Sequence, residues 1–124
     1  MSNPGLIKNF TAGAAIAAYR IVRLSAADTV VQAAAVSEAM MGVCMDVAPA
    51  SGERVDIVMD GIALVEAGAA IALTALVTSD ATGRGVAAAP AAGTNNRIIG
   101  IPLDAAVAAG DIIRVKLSPG SFQG

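Results

Sequence analysis

Two aspartates hold the same place in two copies of one short pattern. Asp46 closes Met41-Gly-Val-Cys-Met-Asp46, and Asp104 closes Ile99-Gly-Ile-Pro-Leu-Asp104. Carboxylates related by an internal repeat are what an aspartic protease uses to share one proton, because two close like charges cannot both ionise. That chemistry also needs Thr/Ser-Gly after the nucleophilic aspartate, to hold it by hydrogen bonds. Here Val47-Ala48 and Ala105-Ala106 follow instead. Each aspartate therefore reads as the end of a strand and the cap of the next turn.

The remaining reactive side chains offer no better chemistry. Histidine is absent, which removes Ser-His-Asp and Cys-His catalysis, the imidazole proton shuttle and most transition-metal sites. Cys44 is the single cysteine. It can form neither an intrachain disulfide nor a zinc cluster, and its apolar neighbours mark it as an inert core thiol. Asp80-Ala-Thr-Gly83 lacks the closely spaced second and third oxygen ligands of a calcium loop, and Arg84 between two glycines is a turn rather than a phosphate loop. Asp60 and Glu66 flank an apolar strand and read as a solvated edge. No catalytic, metal or cofactor site is expected.

The elements that carry these residues occur twice. Ala12-Gly-Ala-Ala-Ile-Ala17 returns as Ala67-Gly-Ala-Ala-Ile-Ala72, 55 residues on. The Asp46 segment, followed by Ala50-Ser-Gly-Glu53 and Arg54-Val-Asp-Ile-Val-Met59, returns 58 residues on as the Asp104 segment, Ala108-Ala-Gly-Asp111 and Ile112-Ile-Arg-Val-Lys-Leu117. Gly42/Gly100 and Gly52/Gly110 repeat in register, which points to one structural unit used twice.

Short stretches rich in Val and Ile, separated by Gly, Asp, Ser and Pro, predict strands at Tyr19–Leu24, Thr29–Gln32, Met41–Asp46, Arg54–Asp60, Ile62–Glu66, Ala75–Thr78, Gly85–Ala88, Arg97–Leu103 and Ile112–Leu117. The fold class is mainly all-β, a small barrel or sandwich with an internal two-fold repeat. The alanine run over Gln32–Met41 adds one short helix. Residues 1–11 read as an N-terminal arm. Residues 12–120 read as a single β-rich domain with repeat units at about 12–61 and 62–120, and 121–124 read as a tail. Leu6, Ile7 and Phe10 give the arm the character of a hook for a neighbouring molecule.

Composition narrows the function. Hydrophobic residues make up 56% of the chain but aromatic residues only 2%, so alanine supplies much of the apolar content and the core is thin. Shared burial between subunits is a remedy for a thin core. The net charge is −2 with the charges scattered singly and no basic run, so no nucleic-acid partner is expected. No apolar run reaches the ~20 residues of a membrane helix, so no membrane partner is expected. The stretch after Lys8 has some character of a signal peptide, but its Ala-Gly-Ala-Ala-Ile-Ala string recurs in mid-chain and belongs to the fold.

The order of these motifs resembles the small bacteriophage capsid cement (decoration) proteins, formerly a domain of unknown function. The matching stretches are Ala12–Leu24, Met41–Gly61, Ala67–Ala88 and Arg97–Gly120, closing on Val115-Lys-Leu-Ser-Pro-Gly120. Tyr19 and Thr74 stand where members often carry glycine. The resemblance implies a structural virion protein without enzymatic activity, made in the host cytoplasm. It would bind the outer surface of a phage head and bridge neighbouring major capsid proteins, as a homotrimer in preference to a dimer. Leu6, Ile7 and Phe10 are the expected apolar contacts with the shell, and Arg20 and Arg23 would pair with its carboxylates. The alternative is a small β-barrel module that binds carbohydrate or peptide. Against it, Phe10, Tyr19 and Phe122 are the only aromatic residues.

Overall fold

From Arg54 to Ile57 and from Ile112 to Leu117, inward buried side chains alternate with outward exposed or half-buried ones, the pattern of extended chain. A computed structural model describes residues 3–124 and forms eleven strands among them. They are β1 (Asn3–Pro4), β2 (Ile7–Ala12), β3 (Ile21–Ala26), β4 (Thr29–Gln32), β5 (Met40–Cys44), β6 (Arg54–Val58), β7 (Gly61–Glu66), β8 (Val77–Ser79), β9 (Gly85–Ala87), β10 (Asn95–Pro102) and β11 (Ile112–Gln123). The all-β class holds. Strands β2-β4-β3-β5-β6 close into a barrel, and a second sheet runs β1-β7-β11-β10-β8-β9.

The two assemblies are copies in topology and in register. Read from β2, the barrel runs β2-β6-β5-β3-β4; read from β7, the second sheet runs β7-β11-β10-β8-β9. Asn9 faces Asp56 as Leu64 faces Arg114, and Val22 faces Gly42 as Val77 faces Gly100. The barrel closes through a parallel pair that includes Ala12 and Val30. The second sheet makes the same closure with the single parallel bridge Ala67–Gly85. The loop bonds repeat too. Ala12 N–H donates to the Glu53 carbonyl at 2.8 Å and Ala67 N–H to the Asp111 carbonyl at 2.7 Å.

The glycines kept in both copies have a steric cause. A Cβ at Gly42 would strike the Val58 carbonyl oxygen, and one at Gly100 would strike that of Lys116, the equivalent residue. Gly52 and Gly110 take φ of +90° and +95°, which an L side chain rarely adopts. Tyr19 takes φ +63°, so the position where the resemblance led glycine to be expected is left-handed here and a tyrosine fills it.

Apolar residues form two clusters that share a wall. Phe10, Ala12, Ile16, Val22, Val30, Cys44, Val55 and Ile57 fill the barrel. Their strand neighbours Ile21, Val43 and Val58 point out of it and pack with Val65, Val77, Ile99, Ile113 and Val115 of the second sheet. Strands β3, β5 and β6 are therefore covered on both faces, which is why Ile21-Val22, Val43-Cys44 and Ile57-Val58 are apolar at consecutive positions.

Four expectations are corrected. Residues 33–39 form a turn-rich loop rather than a helix: Ala33 N–H continues to the Ile21 carbonyl, the Glu38 carboxylate accepts Ala34 N–H at 2.6 Å, and Arg97 N–H takes the Val36 carbonyl. The segment read as an arm is largely strand. Met1 and Ser2 lie outside the described residues, Asn3–Pro4 pair with β7, and Ile7–Thr11 pair with Val58–Arg54. The first repeat unit thus begins at Ile7, the counterpart of Ile62. The segment read as a tail is also strand, since Ser121, Phe122 and Gln123 pair with Arg97, Asn96 and Asn95. Glu66 is not a freely solvated edge: it pairs with Arg20 at 3.6 Å and Arg84 at 3.3 Å.

Candidate functional site

Repeat symmetry brings Asp46 and Asp104 to equivalent strand ends but gives them different surroundings. Asp104 accepts from the Arg114 backbone N–H and from its guanidinium Nε and Nη2. These bonds hold its carboxyl well below the usual carboxylate range. In the barrel the residue equivalent to Arg114 is Asp56, and among the described residues no cation takes that role at Asp46. Asp46 instead lines an open cleft of about 610 Å³ with Asn9, Met45, Val47, Pro49, Glu53, Arg54 and Asp56. A shared-proton dyad does not form, because Asp104 is committed to Arg114.

Cys44 is fully buried, and its Sγ–H donates to the Val47 carbonyl at 3.3 Å. Burial, helped by the nearby Asp46 charge, pushes the thiol up to about 11, so it stays protonated and weakly nucleophilic. Asp80 is the turn residue expected. Burial alone would raise its pKa, but the backbone N–H groups of Thr82 and Arg84 donate to it and leave it below its ordinary value. Among the described residues no group of three His, Cys, Asp or Glu is placed to hold a metal ion.

The residues expected to contact a partner are split by the fold. Leu6 and Ile7 are 54% and 40% exposed, whereas Phe10 on the same segment is 6% exposed inside the barrel. Burial changes along β2: Ile7, Lys8 and Asn9 are all exposed, and only from Phe10 on does the strand turn side chains into the barrel, with Phe10 and Ala12 inward and Thr11 between them half-buried. Phe10 is thus corrected from hook to core. Arg20 is joined to Glu66 and donates to the Thr82 carbonyl, and Arg23 is joined to Glu38 at 2.9 Å. The three aromatic residues lie on different elements and build no sugar platform. Phe10 is in the barrel core, Phe122 is on β11, and Tyr19 lines a small pocket of about 140 Å³ with Cys44, Met45 and Leu64.

A surface absent from the sequence reading emerges on the second sheet. Ile101, Leu103 and Ile112 are exposed there, with Ile62 and Leu64 half-buried nearby. The available signal was the set alternating with the inward Ile113, Val115 and Leu117, which begins with Ile112 where a solvated face calls for a polar residue.

Comparison with known proteins agrees with this architecture. The family model described as phage cement protein matches residues 3–117. No curated protein matches the chain. Among solved structures, the N base of the head fiber gp8.5 of bacteriophage phi29 is similar, with a TM-score of 0.68, 17% identity, and coverage of 96% of this chain and 98% of that one. At that identity the likeness is one of fold.

Proposed function

From the premise that the chain belongs to the phage cement protein family, and is thereby a structural, capsid-associated protein of a phage virion, we propose that it binds the outer face of the shell and cements neighbouring major capsid proteins. The family match over 3–117 is the observation that carries this reading. The fold is consistent with it: Glu38, Glu66, Asp80 and Asp104 are held in ion pairs, the thiol is buried, and apolar side chains remain at the surface. Many weak contacts repeated over one lattice reinforce a shell by avidity, without any one of them being tight.

Self-association, as a homotrimer in preference to a dimer, belongs to the same proposal, since a core low in aromatic residues gains from burial between subunits. Leu6 and Ile7, exposed where β1 passes into β2, are proposed shell contacts. Arg20 and Arg23 remain proposed as partners of shell carboxylates, in exchange with Glu66 and Glu38.

The test is cryo-electron microscopy of expanded capsids with and without added purified protein. Ordered extra density on the outside, spanning adjacent major capsid proteins, is the expected result. Bare capsids at saturating protein would overturn the proposal.

A further inference from the structure

Strand register arranges the outer face of the second sheet in rows. Ile62, Lys116 and Ile101 form one row and Leu64, Arg114 and Leu103 the next, with Glu66 opposite Ile112 beyond them. Arg114 is neutralised by Asp104, and Glu66 is shared by Arg20 and Arg84. Lys116 is exposed between two isoleucines and forms no ion pair among the described residues. Apolar side chains grouped about one cation on a sheet face mark a surface for another protein.

The barrel carries the opposite character at the equivalent place. The row that reads Leu64–Arg114 in the second sheet reads Asn9–Asp56 in the barrel. There Asp46, Glu53 and Asp56 line the open cleft, beside the apolar Met45, Val47 and Pro49. Arg54, the one cation in that lining, is engaged by Asp28 at 2.6 Å. One chain therefore carries both an apolar face with a free cation and an apolar-lined cleft with an excess of carboxylates. Inside the chain, Arg114 of the neighbouring row meets Asp104, the counterpart of Asp46, so an aspartate at this strand end accepts a basic side chain.

We propose that the outer face of the second sheet, formed by Ile62, Leu64, Ile101, Leu103 and Ile112 about Lys116, docks into the Asp46–Asp56 cleft of a second copy of this chain. Lys116 meets the carboxylates while the leucines and isoleucines cover Met45 and Val47. The contact joins two different patches, so it is head-to-tail and ends when a ring closes. The inference rests on the self-association proposed above and is independent of shell binding.

The experiment is light scattering on the full chain at low and high salt, for the native sequence, Lys116→Glu, Asp56→Lys and the double variant, with circular dichroism as a check of folding. Both substituted residues are exposed, so the fold tolerates the changes. The native chain is expected to be an oligomer that salt weakens. Each single reversal is expected to weaken assembly by at least about ten-fold, and the double reversal to restore it. A native oligomer that both single variants leave intact places the contact elsewhere and overturns this surface. Single variants that dissociate without rescue in the double overturn the pairing of these two patches. A native chain that stays monomeric at all concentrations overturns self-association itself, whatever the capsid experiment shows.

Discussion

Asp104 takes three hydrogen bonds from Arg114: from the backbone N–H at 2.9 Å, from Nε at 2.9 Å and from Nη2 at 2.8 Å. One residue thus supplies both a strand amide and a guanidinium to the same carboxylate, which ties the loop after β10 to β11.

The pair carries a pH signature. The folded carboxyl lies below its unfolded value, so its contribution is fully present above the ordinary carboxylate range and is lost as pH falls through the lower folded value. Asp104→Asn is expected to melt below the native protein at pH 7. The gap is expected to stay constant down to about pH 5 and to close as the pH drops below about 4. Thermal melts of the two proteins from pH 7 to pH 2 measure it, and a gap independent of pH would refute the assignment.

Cys44 is expected to resist a thiol-exchange reagent in the native protein and to react once per chain in denaturant. Its folded value is raised from 9.0 to about 11. The stability tied to the neutral thiol is therefore complete below pH 9 and fades as pH climbs through about 11. Rapid labelling of the folded chain at pH 8 would contradict the buried placement.

Leu6 and Phe10 differ sharply in what they support. Phe10→Ala empties a position inside the barrel and is expected to cost about 3–5 kcal/mol. Leu6→Ala removes an exposed side chain and is expected to stay within about 0.5 kcal/mol. Denaturant melts of both variants decide the matter, and equal midpoints would return Phe10 to the surface.

Much of this fold was legible because its constraints are local. Gly42 and Gly100 recur where a neighbouring carbonyl leaves no room for a side chain, and Gly52 and Gly110 recur where φ is positive. Those needs leave their mark in the sequence, so the repeat and most strands could be read from it. The ends could not. Ile7-Lys-Asn-Phe-Thr-Ala12 looks like part of an arm, because the strand that covers it, β6, lies more than forty residues away. Ser118-Pro-Gly120 looks like a break. The register shift between Ile98 and Gly100 leaves Ser118 and Pro119 unpaired, so a strand passes through a proline at a bulge. Alanine misled at Gln32–Met41, where local helix preference loses to bonds made with β3 and β10. The candidate contact face stayed hidden for a related reason. Ile101 and Ile112 lie eleven residues apart, and only strand pairing puts them on one surface.

The wall shared by the barrel and the second sheet has a mechanical consequence. Ile21, Val43 and Val58 belong to the barrel by chain and to the other core by packing, while β1, ahead of the barrel in the chain, clamps onto β7. Bending one half against the other has to open that apolar seam and peel off the clamp together. The molecule is therefore expected to act as a stiff strut without a hinge at Met59–Asp60, passing a load from one half to the other.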